Sequence, residues 1–169
     1  MDKVDVFLQP GDFHFAGKET RIRTLLGSCI AITLWHPTKL IGGMCHYMLP
    51  SPTFSSNLQL NGKYAEDAMQ MFLQKIKLAG TSPSEYQAKI FGGGDMFPNV
   101  IDPVQCTFSE SKSLMPSLLC KKIGCKNTLI AEQLVKKYGF KLVSHDLGGT
   151  QHRKVIFDIS NGDVWLRKG

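Results

Sequence analysis

One cysteine and one histidine in this chain stand where they could serve as a nucleophile and its base. Cys29 follows Gly27-Ser28 at the head of an apolar, β-branched run, and His46 lies in the next such run, beyond the tetrapeptide HPTK. A thiolate attacks carbonyl carbon, and a neighbouring imidazole can lower the thiol pKa and return the proton to the leaving group. The chemistry this pair can do is hydrolysis of an amide or ester through an acyl-enzyme. Gly27-Ser28 allows a tight backbone approach just before the nucleophile. Backbone N–H groups there are candidate donors to a developing oxyanion, and one such donor is worth about 3–4 kcal/mol. Nothing in this scheme calls for a cofactor or a metal.

A hairpin must bring the two residues together. Residues 29–35 (CIAITLW) and 40–48 (LIGGMCHYM) read as strands around the turn 36–39. With the turn centred between Pro37 and Thr38, Trp35 pairs with Leu40, Thr33 with Gly42 and Cys29 with His46. Opposed residues on antiparallel strands share a face, with Cβ atoms about 4.5–5.5 Å apart. A one-residue slip would send His46 to the other face, and a bulge at Gly42-Gly43 would cause one. By spacing alone, a cysteine and a histidine in apolar strands also read as core residues. Cys45, next to His46, faces the opposite way and reads as core.

The remaining elements frame this hairpin. Residues 3–8 and 20–26 read as strands. Ala65, Ala68, Met69, Phe72, Leu73 and Ile76 fall at helical spacing between Lys63 and Leu78, with Gly80 as the stop. AKIF (88–91) is a short strand entering Gly92-Gly93-Gly94. Asn127 is placed to cap a second helix running through Tyr138, with Gly139 ending it. KLVSHD is a strand, and KVIFDIS and DVWLRK flank Asn161-Gly162, a strong hairpin signal. Residues 50–62 read as a Pro/Ser/Asn-rich loop, and 98–126 carry the weakest pattern. The expectation is a single α/β domain over residues 1–169: a layered sandwich with a mixed or mainly antiparallel sheet core, flanked by helices.

Composition narrows the function classes. The chain has 169 residues, 43% hydrophobic and 20% charged, so it can build its own core. No apolar run approaches the roughly 20 residues of a membrane span. The N-terminus MDKVDVFLQP lacks the pattern of a leader, so a cytoplasmic location is expected. Five cysteines at irregular spacing, without C-x-x-C, argue against a disulfide framework and a zinc ribbon. Cys120 and Cys125 read as packing residues. The formal charge of +6 is compatible with nucleic acid, an anionic membrane or an acidic protein partner, and the scattered lysines and arginines, with no basic stripe, argue against nucleic acid. Gly92–Gly94 lacks the Lys-Ser/Thr of a phosphate loop and reads as a place of close backbone passage. His14, His36, His145 and His152 show no metal spacing, and His36 reads as a solvated turn residue. Asp146 and Arg153 read as a surface ion pair or as a brace for Gly148-Gly149.

The segment LGSCIAITLWHPTKLIGGMCHYMLP (26–50) resembles the signature of the CheD family of chemoreceptor glutamine deamidases. GKYAEDAM (62–69), AKIFGGGDMF (88–97), IGCKN (123–127) and HDLGGTQHRKVIFDISNGDVWLRK (145–168) also resemble that family, in order along the chain. The resemblance implies a fold similar to the catalytic domain of cytotoxic necrotizing factor toxins. It implies deamidation of glutamines on the cytoplasmic part of methyl-accepting chemoreceptors, with Cys29 as nucleophile and His46 as base. It also implies a third member, a threonine six residues before the cysteine. Arg23 stands at that position, and a threonine follows it at Thr24. Either a bulge at Gly27-Ser28 brings Thr24 to the site, or the third role lies elsewhere. Two rival functions stay open. One is a regulatory binding module for a CheC-type chemotaxis phosphatase. The other is a different thiol hydrolase, such as a peptidase or a receptor methylesterase.

Overall fold

In the computed structural model, which describes residues 2–51, 59–99 and 122–169, the sequence TRIRTLL forms a strand with one face buried. Thr20, Ile22, Thr24 and Leu26 point inward, while Arg21, Arg23 and Leu25 face outward. This is the period-2 alternation of a sheet covered on one side only. IAITLWH behaves differently. Nearly every residue is buried, because its strand lies between two layers.

Among the described residues, nine strands form two sheets. The first contains β1 (Val4–Leu8), β3 (Thr20–Leu26), β8 (Arg153–Asp158) and β9 (Val164–Lys168), in the order β1-β3-β8-β9. The second contains β2 (Phe13–Gly17), β4 (Ile30–His36), β5 (Ile41–Tyr47), β6 (Gln87–Gly92) and β7 (Lys141–Leu147), in the order β2-β5-β4-β6-β7. The β1–β3 and β6–β7 pairs are parallel and the others antiparallel. Helices α1 (Ala65–Leu78) and α2 (Ile123–Lys137) cover the second sheet.

Two cores result. Ile22, Leu26, Ala31, Met44, Phe91, Val155 and Phe157 fill the space between the sheets. Ile30, Ile32, Leu34, Cys45 and Tyr47 pack instead with Met69 and Phe72 of α1 and Leu134 and Val135 of α2. The layers run sheet, sheet, helices, which is the layered α/β arrangement expected. Gly80 ends α1 at a φ of 66°, with Thr81 N donating to Ile76 O.

Three sequence expectations need correction. Strand β2 was not anticipated. Its residues are half-buried throughout, so FHFAG carries no inside–outside contrast. Helix α2 starts at Ile123, and Asn127 lies inside it rather than capping it. The register of the β4–β5 hairpin differs as described below. Much of the expected loop 50–62 and of the weakly patterned stretch 98–126 lies outside the described residues. Among the described residues, no helix is long and apolar enough to cross a membrane.

Candidate active site

The hairpin turn is set by Leu40, which takes a positive φ of 51° and donates its N–H to His36 O. The loop is therefore Pro37–Leu40, and the strands pair His36 with Ile41, Ala31 with His46 and Ile30 with Tyr47. The expected pairing of Cys29 with His46 is off by two residues. An even shift preserves the face. Cys29 lies two residues before Ala31 and packs, with Ala31, against the core between the sheets. Cys45 is on the far side in the helix-covered core, where burial pushes its thiol up to about 12.

His46 reaches the same space. Its Nδ1 is 2.7 Å from Thr24 Oγ1, which belongs to the opposite sheet. The Thr24 hydroxyl donates to Leu8 O at 2.9 Å. Its single hydrogen is thus committed, so its oxygen must accept from His46 Nδ1–H. That hydrogen bond leaves Nε2 as the bare, basic nitrogen. Nε2 is buried and has no hydrogen-bond partner among the described residues. Burial also holds the imidazole pKa down at about 4, with the Asp12 carboxylate opposing the shift. Burial raises the Cys29 thiol above its ordinary value. At neutral pH the resting pair is therefore a thiol and a neutral imidazole. No bulge is needed to bring Thr24 inward: it shares the buried face of β3 with Ile22 and Leu26. Arg23 points outward, with Nε 3.7 Å from Asp5 Oδ1.

Residues 27–29 carry the chain from the first sheet to the second, and each of their carbonyls is held. Gly27 O accepts from Gly94 N at 3.0 Å and Cys29 O from Gly93 N at 2.9 Å. Ser28 O accepts from Asn127 Nδ2 at 3.1 Å, and the same amide donates to Met48 O at 2.8 Å. Among the described residues, no acceptor is paired with the backbone N–H of Ser28 or Cys29. Gly92 sits at a φ of 116°, and a Cβ there would lie 2.1 Å from Cys29 O. The glycine triplet is a backbone support laid against residues 27–29. Sequence reasoning missed Asn127, although IGCKN was a visible motif, because a helix cap accounted for the residue.

The support continues outward. Arg153 is buried; its Nε donates to Asp146 Oδ1 at 2.8 Å and a terminal nitrogen to Gly148 O at 2.7 Å. It both braces the 148–149 glycines and forms the expected ion pair with the partly exposed Asp146, from a buried rather than a surface position. Gly149 O in turn accepts from Asp95 N at 2.7 Å. A shallow cavity of about 250 Å³ opens beside Ser28 and Gly94, walled by Met96, Phe97 and Ile123.

His36 is buried rather than solvated, because it closes its own turn. Its Nδ1 accepts from Thr38 N at 3.3 Å and Lys39 N at 3.2 Å, so Nε2 carries the hydrogen, 3.4 Å from Glu85 Oε1. Cys29 and Cys45 are free thiols, whereas Cys125 is disulfide-bonded, contrary to its reading as a packing residue. Cys106 and Cys120 lie outside the described residues. Among the described residues, no group of three or more His, Cys, Asp or Glu side chains could hold a metal ion.

Fold and site together define a two-sheet α/β protein with a buried Thr–His pair and a free, partly buried thiol packed against the same inter-sheet core. The model of the CheD family, described as chemotactic sensory transduction, matches residues 48–168. "Probable chemoreceptor glutamine deamidase CheD 3" of Dechloromonas aromatica is 44% identical over 96% of this chain and 86% of its own length. "Probable chemoreceptor glutamine deamidase CheD" of Pseudomonas fluorescens is 41% identical, covering 96% and 84%. A Leptospira interrogans relative named "Probable chemoreceptor glutamine deamidase CheD 1" is 38% identical, covering 98% and 93%. The chain belongs to the CheD family. Among solved structures, Bacillus licheniformis hypothetical protein YfiH superposes with a TM-score of 0.50 at 13% identity. That likeness covers 82% of this chain and 51% of that one, and it shows the fold alone.

Proposed function

We propose that the protein is a cytoplasmic protein-glutamine amidohydrolase that converts selected chemoreceptor glutamines to glutamates. The observation that carries this reading is the buried imidazole of His46, tied at Nδ1 to Thr24 and bare at Nε2, facing the space that Cys29 enters. The names of the relatives supply the substrate class.

The Cys29 sulfur attacks the carboxamide carbon of a substrate glutamine, and its proton passes to His46 Nε2. Nucleophile and base start neutral, so charge develops only as the bond forms. The tetrahedral oxyanion is received by backbone N–H groups at residues 27–29. The C–N bond then breaks, and His46 returns the proton to the departing ammonia. Water, deprotonated by His46, hydrolyses the thioester to give glutamate and the free thiol. Thr24 keeps the imidazole in the tautomer that this sequence needs. No cofactor or metal takes part, and the enzyme acts without inserting into the membrane.

Mass spectrometry of chemoreceptor cytoplasmic fragments, incubated with wild type, Cys29→Ala and His46→Ala, tests the reading. Glutamine-to-glutamate conversion at defined positions by wild type alone is the expected result. An unchanged fragment, with tight binding to receptor or to a CheC-type phosphatase, would make the chain a binding module instead. Methanol release or peptide cleavage would make it a different thiol hydrolase.

A further inference from the structure

Three peptide planes surround the nucleophile, and their supports are not alike. The carbonyls of Gly27 and Cys29 are held by backbone N–H groups of Gly94 and Gly93. The carbonyl of Ser28 is held by a side chain, the amide of Asn127. Asn127 is fully buried in α2, where an asparagine is a poor helix former. Its Nδ2 forks between Ser28 O and Met48 O. Those residues flank the two strand ends that carry Cys29 and His46. Its backbone carbonyl accepts from the Tyr47 hydroxyl at 2.5 Å, which fixes this turn of α2 against the end of β5.

In a trans peptide the C=O and the following N–H point in opposite directions. Drawing the Ser28 carbonyl toward α2 therefore turns the Cys29 N–H away from α2. Helix α2 packs on one face of the second sheet, and Cys29 packs on the other, between the sheets. The Cys29 N–H is thus directed to the side where the thiol sits, and among the described residues it meets no acceptor. We infer that Asn127 is a positioning residue: through the Ser28 carbonyl it aims the Cys29 N–H at the oxyanion formed on the substrate carbonyl. This rests on the amidohydrolase reading and deepens it.

The test separates aiming from mere support. Asn127→Ala and Asn127→Ser are compared with wild type for ammonia release from a receptor fragment, and for alkylation of Cys29 by iodoacetamide at alkaline pH. Alkylation displaces iodide at a saturated carbon and forms no oxyanion. The expected result is a kcat lowered by roughly 10–100-fold, since the donor is misaimed rather than deleted, with KM unchanged. The alkylation rate of Cys29, followed on its own peptide, stays at the wild-type value. Retention of full kcat by folded variants overturns the inference and leaves the deamidase reading intact. A parallel fall in kcat and alkylation also overturns it, since Asn127 would then only hold the loop. If neither variant folds, a peptide aldehyde that forms an oxyanion on Cys29 is added to wild type. Failure of the resulting hemithioacetal to protect or shift the Cys29 amide resonance overturns the inference. Wild type that releases no ammonia from any receptor fragment removes the deamidase reading, and this inference with it.

Discussion

The β4–β5 hairpin carries a buried histidine at each end, and the two are wired in opposite senses. At the turn, His36 Nδ1 accepts from two backbone N–H groups, so Nε2 carries the hydrogen, without a hydrogen-bond partner among the described residues. At the open end, His46 Nδ1–H donates to Thr24, and Nε2 is bare. Burial does not distinguish them. The partner of Nδ1 does, because it decides which nitrogen keeps a lone pair. One end of the hairpin has spent its imidazole on closing a turn, and the other holds a base in reserve.

The largest effects should come from the open end. Cys29→Ala is expected to abolish ammonia release, and His46→Ala to lower kcat by about 10²–10⁴-fold, in an assay on receptor fragments. Loss of activity in His36→Ala, at unchanged folding, would erase the contrast between the two ends. The depressed pKa of His46 sets a pH signature. The acid limb of kcat/KM should lie near pH 4, well below the ordinary histidine value of 6.5. The same shift bears on stability. Above pH 6.5 neither folded nor unfolded chain protonates this imidazole. As pH falls from 6.5 toward 4, only the unfolded chain does, so about 3 kcal/mol of stability is lost over that window. Denaturant titrations of wild type and His46→Leu should diverge there, the variant losing less.

Smaller effects sharpen the contrast further. Thr24→Val keeps the shape but removes the acceptor that fixes the His46 tautomer, and should lower kcat by about tenfold. Thr24→Ser should restore most of that loss, which a packing role alone would not predict. His36→Ala should lower stability by about 1–2 kcal/mol, seen as a lower Tm, with kcat per folded molecule unchanged.

The sequence made the hairpin legible, and with it the candidate pair, because LIGGMCHYM and CIAITLW are β-branched and apolar around a proline turn. It misplaced the register by two, since nothing in HPTKL announces a leucine at positive φ. Cys29 and His46 still share a face because side-chain direction depends on parity. Thr24 was ambiguous because strand alternation is readable from TRIRTLL, but the facing sheet is not. Asn127 was misjudged because its partners, Ser28 O and Met48 O, are backbone carbonyls distant in sequence, and such partners leave no local pattern.

The order in which the site's parts occur along the chain has a consequence for biosynthesis. The proposed nucleophile Cys29, the proposed base His46 and Thr24 all lie before residue 50, whereas Gly93, Gly94, Asn127 and β8, one of the two strands that pair with β3, come later. A ribosome-bound chain that has exposed only its first half carries these three residues but lacks those later supports. On the proposed mechanism, hydrolytic competence is therefore acquired late in synthesis, and half-made chains emerging beside other nascent proteins should be chemically silent.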